Sequence, residues 1–193
     1  MPTDPKQAGD IAKVHGEILQ LVNQRVALST AAISAVCVVL AWVTPKALIN
    51  ENQSIHNYVF FVTTFLYILL GMIYWLSCNM KINLRILSSY LIAARKSNWE
   101  IDWRNYRSKF TIKMYTYSQT ALFLILGIII SIYPLVLLCC YKLSLIYLVG
   151  WNIHYSFAVI YFIAMMILRH YSNDSVEDDF IKNWKVVIAS RNR

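Results

Sequence analysis

Apolar positions in this chain gather into four long blocks without a single charge. Val26–Pro45 holds 20 residues, Tyr58–Met80 holds 23, Met114–Tyr141 holds 28 and Leu143–Leu168 holds 26. About 20 apolar residues in a helix cross a hydrocarbon core of ~30 Å. The pattern predicts four membrane-spanning helices. Outside the blocks, apolar residues recur at the helical spacings of three and four. Ile11, Val14, Ile18, Leu21 and Val22 form one such stripe behind an Asp10 N-cap, and nothing between Leu19 and Arg25 would stop that helix before the first block. Met80, Leu84, Leu87, Leu91 and Ala94 carry the second block onward as helix to about Lys96.

Two further helix starts can be read. Ser97-Asn98-Trp99-Glu100 is a capping box, in which the serine hydroxyl meets an orphan N–H and the glutamate reaches back. The helix it opens carries an aromatic stripe of Trp99, Trp103, Tyr106 and Phe110, continuing to Met114 and Tyr117. Ser175-Val176-Glu177-Asp178 is a capping-box-like match, followed by a stripe of Val176, Phe180, Trp184 and Val187. Acidic residues crowd the first turn of that helix and Lys182 and Lys185 follow, an order that suits the helix dipole.

The expected fold is therefore all-α: a four-span transmembrane helical bundle with amphipathic cytoplasmic helical extensions. Its segments are an amphipathic helix at 1–25, a first hairpin at 26–80, a basic helical hairpin at 81–113, a second hairpin at 114–168 and a tail helix at 169–193. The external connectors are short, 12 residues at 46–57 and essentially Lys142 alone. They leave no room for an external ligand-binding domain.

Charge sets the expected orientation. Of the 18 Lys and Arg residues, 16 fall in 1–25, 81–113 and 169–193, leaving only Lys46 and Lys142 for the other side. Basic residues flanking spans stay in the cytoplasm, so both termini and the central connector are expected there. The net charge of +8 has two readings. It selects topology and attracts anionic lipid headgroups, or it meets an acidic partner such as a protein face or a nucleic acid. The first accounts for bases that flank spans, and direct nucleic-acid binding is not expected.

Chemistry is sparse. The four blocks contain no Asp, Glu, Lys or Arg, the residues that mark proton relays and ion-coupled transport in membranes. Cys37, Cys78, Cys139 and Cys140 show no C-x-x-C and no metal-ligand spacing. Cys139-Cys140 could form an intermolecular disulfide or stay as buried thiols. No phosphate loop, zinc-protease motif or nucleophile elbow occurs, so neither catalysis nor a cofactor or metal is expected. The polar exceptions are Asn152, His154 and Ser156 in the fourth block and Ser131 and Pro134 in the third. They are either interhelical contacts or the lining of a pore, with His154 as a pH-sensing position and Pro134 as the kink of a gate. The aromatic residues Trp99, Trp103, Tyr106, Phe110, Phe180 and Trp184 pack in a helical core, form an interface with a partner or another copy, or lie flat on the inner leaflet.

The path Ile11–Arg25 into Val26–Pro45, together with the long basic connector Lys81–Lys113, resembles small multi-span membrane proteins of bacterial anti-phage defence. These include four-span effectors and the KwaA proteins of Kiwa systems. The resemblance covers most of the chain and is one of layout. It implies a homo-oligomer in the bacterial inner membrane that either permeabilises the bilayer or senses its disturbance and holds a cytoplasmic partner. The expected function is an oligomeric inner-membrane sensor or scaffold that docks a soluble protein. A pore-forming effector or channel, or a structural subunit of a larger membrane complex, is the alternative.

Overall fold

The computed structural model describes residues 5–49, 53–94, 113–141, 148–172 and 176–191. These residues form five helices: α1 (Pro5–Ile49), α2 (Gln53–Ala93), α3 (Lys113–Tyr141), α4 (Leu148–Tyr171) and α5 (Val176–Arg191). Among the described residues there is no strand. Pro5 opens α1, where its missing N–H and fixed φ cost nothing. The first two helices are much longer than a bilayer requires: 45 residues in α1 amount to about 68 Å.

Four of the helices are long and apolar enough to cross a membrane, over Ile11–Thr44, Tyr58–Ala93, Ser118–Cys139 and Val149–Tyr171. Their outward faces carry large apolar side chains such as Phe61, Met72, Trp75, Ile125 and Ile163. That much exposed apolar surface suits lipid rather than water as the solvent. The chain is an integral membrane protein.

The four helices run up and down. Arg25, Ser77 and Gln119 meet at one end of the bundle, and Val43, Val59 and Leu137 pack with Trp151 at the other. α2 is the central element and packs against every other helix, while α1 and α4 occupy opposite corners. The main core lies between the ends and includes Ala32, Val36, Leu66, Tyr67, Leu70, Phe123, Ile130 and Tyr161.

At the end holding Arg25, the structure continues past the bundle. α5 lies along the last turns of α2, with Ile181 and Leu91 buried. The Trp184 indole N–H donates to the Ile86 carbonyl at 3.1 Å, and its ring meets Tyr90 edge-on at 5.1 Å. The buried guanidinium of Arg85 donates to the Ser172 carbonyl just past α4. A cation there satisfies an orphan helix-end acceptor and opposes the dipole. Lys81 adds a bond to the Ser172 hydroxyl at 3.5 Å. These contacts fix the exit of α4 and the start of α5 to α2.

Candidate functional site

The spans are joined by a ladder of polar side chains inside the bundle. The lowest rung is at Arg25. Its Nη2 donates to Gln119 Oε1, and its Nε reaches Ser77 Oγ at 3.5 Å. Gln119 Nε2 donates to Ser29 Oγ at 3.1 Å, and Ser29 donates to the Arg25 carbonyl at 3.0 Å. This closed loop of donors and acceptors ties α1, α2 and α3 together. Next, the Tyr74 and Thr120 hydroxyls lie 3.2 Å apart, and the Tyr161 hydroxyl donates to the Phe123 carbonyl at 2.8 Å.

Gly127 makes the Tyr161 contact possible. A Cβ at position 127 would sit 2.6 Å from Tyr161 Cε1 and 3.2 Å from Phe162 Cε1. Only a residue without a Cβ lets α3 come this close to α4.

The centre of the ladder lies at Ser131, one turn before Pro134 in α3. Ser131 donates back to the Gly127 carbonyl at 2.9 Å. Its one proton is thereby used, so the Tyr67 hydroxyl donates to Ser131 Oγ at 2.6 Å. The Tyr67 ring packs on His154 at 5.4 Å. His154 is fully buried, and its Nδ1 lies 2.9 Å from Thr63 Oγ1. Thr63 also lies 3.0 Å from the Val59 carbonyl. If the threonine proton goes to that carbonyl, the imidazole proton sits on Nδ1. His154 Nε2 and Thr64 Oγ1 are buried without a hydrogen bond. Pro134, inside α3, removes the N–H that would bond the Ile130 carbonyl. At the far end, Thr44 Oγ1 and the Tyr133 hydroxyl meet at 2.9 Å.

The residues singled out in the sequence therefore separate. His154, Ser131 and Pro134 lie in the interior of the bundle. Asn152 and Ser156 are exposed on the outward face of α4. Trp184 and Phe180 are half-buried, and Trp184 is bonded to its own chain. Trp99, Trp103, Tyr106 and Phe110 lie outside the described residues. The rungs that the sequence reading missed are Tyr67, Tyr74, Tyr161, Gln119 and the Arg85–Ser172 clasp. One signal for them was available: tyrosines recur deep in the spans, where each hydroxyl must find a partner.

Among the described residues no group of three His, Cys, Asp or Glu side chains could hold a metal ion. The ladder is suited to locking helices in register. Among the described residues His154 Nε2, Thr64 Oγ1 and Ser89 Oγ are the buried polar side-chain atoms without a partner, the first two in the middle of the bundle. No protein-family model, no curated protein and no solved structure matches the chain.

Proposed function

We propose that the chain is an oligomeric inner-membrane scaffold and sensor that docks a soluble protein on the cytoplasmic side. The observation that carries this reading is the clasp of α5 on α2 through Arg85–Ser172 and Trp184–Ile86. It couples helices beyond the bilayer to helices within it, so a shift among the spans moves the surface outside. The end that bears α5 is also the end toward which most Lys and Arg of the sequence fall, and that charge bias supports a cytoplasmic placement. Anionic headgroups surround the bundle there. The layout shared with anti-phage membrane proteins suggests phage defence as the setting.

Val186 and Val187 on α5 are 65% and 52% exposed, and they are the first contact points for the docked protein. A photo-crosslinking residue at Val187, in the full chain in its own cells, tests the reading. A reproducible adduct with one soluble protein is expected, and Trp184→Ala should reduce it severalfold by releasing α5. Adducts with lipid alone would refute docking at this face. Phage challenge of cells with and without the gene tests the defence setting, and equal plaque counts would remove it.

A pore is the second reading. The buried His154 Nε2 and Thr64 Oγ1, which make no hydrogen bond, favour it, because they are polar atoms available to a rearranged helix. Ion flux from vesicles carrying the purified chain, changed by His154→Ala, would support a pore over a scaffold.

A further inference from the structure

We infer that a second copy of this chain packs against the outward face of α4 along a seam that Asn152 opens. The inference deepens the oligomeric part of the reading above and rests on it. α4 packs only on α2 and α3 among the described residues, so its remaining face points away from the bundle. Asn152, Ser156, Val159, Ile163 and Met166 are all exposed on that face. Their spacings are 4, 3, 4 and 3, the repeat of a left-handed helix pair.

The two polar members of the seam distinguish it from a plain lipid-facing stripe. Ser29, Thr30, Thr44, Thr63 and Ser131 each bond the carbonyl four residues earlier. Ser156 does not, and neither it nor Asn152 makes a hydrogen bond among the described residues. Both sit within the apolar span Val149–Tyr171, roughly 5 and 10 Å from its first residue. Lipid tails offer no donor or acceptor there.

A carboxamide carries both donor and acceptor, so it is complementary to itself. A two-fold axis along the membrane normal brings the two Asn152 side chains together at one depth without further adjustment. A polar residue at a single seam position also fixes the register of such a pair. The outward face of α1 at this level offers Val38, Ala41 and Trp42. Of these only Trp42 carries a polar group, an indole N–H that donates and cannot accept, whereas the α4 face of another copy offers both a donor and an acceptor and is the better match.

The test uses the full chain in bilayers, with Cys37, Cys78, Cys139 and Cys140 replaced by serine and single cysteines introduced along α4. Oxidative crosslinking is expected at Asn152→Cys, Ser156→Cys and Val159→Cys, and to be weak at Ile153→Cys and Ile160→Cys, which are exposed but off the seam. In the unmodified background, Asn152→Ala should weaken self-association about tenfold, and Asn152→Gln should recover most of the loss. Equal crosslinking on and off the seam, or unchanged association in Asn152→Ala, would overturn the seam. Crosslinking at Ala31→Cys on α1 but nowhere on α4 would overturn the seam and leave oligomerisation standing. A monomer by single-molecule photobleaching at every density would overturn both.

Discussion

Thr63 Oγ1 and His154 Nδ1 lie 2.9 Å apart in the fully buried centre of the bundle, joining α2 to α4. Their neighbours are aromatic rings, including Phe60 and Tyr67. Thr63→Val should lower stability by about 1–3 kcal/mol, since it orphans a second ring nitrogen. His154→Leu should cost less, because Thr63 keeps its backbone bond. The double variant should fall well short of the summed single losses in a double-mutant cycle. Unfolding in detergent measures all three, and strict additivity would contradict the pairing.

Gly127 and Gly71 both face Tyr161, at different ranges. A Cβ on Gly71 would be 3.9 Å from the ring, against 2.6 Å for Gly127. Tyr161 is buried and its hydroxyl is bonded to Phe123, so the ring cannot swing aside without losing that bond. Gly127→Ala should lower stability by about 1–3 kcal/mol. Gly71→Ala should be neutral or slightly stabilising, since Ala favours helix over Gly. Equal melting temperatures for the two variants would contradict the close approach.

Trp184 holds α5 to α2 by one hydrogen bond and an aromatic face. Trp184→Phe removes the bond and keeps much of the packing, and should cost about 1 kcal/mol. Trp184→Ala should cost about 3–5 kcal/mol of local stability. Hydrogen exchange along α5 is the readout: it should speed up slightly in the first variant and strongly in the second, with the spans unchanged. Uniform protection in all three chains would contradict the clasp.

Gln119 completes the loop with Arg25 and Ser29. Gln119→Glu keeps the acceptor for Arg25 and adds attraction, while it loses the bond to Ser29, so a small net change is expected. Gln119→Lys sets two cations against each other at the bundle end and should cost severalfold more. Detergent unfolding midpoints check the order, and a reversed order would contradict the loop.

The uncharged blocks announced the four membrane helices, because charge is costly in lipid whatever the helix packs against. The run of helix beyond the second block was legible too: Met80 closes that block, and the spacing of Leu84, Leu87 and Leu91 carries the helix onward, as α2 does to Ala93. The inward face of each span was obscure. Lipid and core are both apolar, so the usual amphipathic signal fades. Polar residues were then the remaining guide, and helix geometry sorts them. Asn152 and His154 are two residues apart, about 200° around the helix, so one faces the core and the other faces outward. Asn152 and Ser156 share a face at one turn's spacing. The partners Thr63 and Tyr67 come from another helix, and nothing within α4 points to them.

We propose a four-span membrane bundle whose α5-bearing end faces the cytoplasm. A single cysteine at Val187, in a chain with the native cysteines replaced by serine, tests it with a membrane-impermeant thiol reagent. Labelling is expected in inside-out vesicles and absent in right-side-out spheroplasts. Labelling in intact spheroplasts would contradict the orientation, and with it the docking of a cytoplasmic protein on α5.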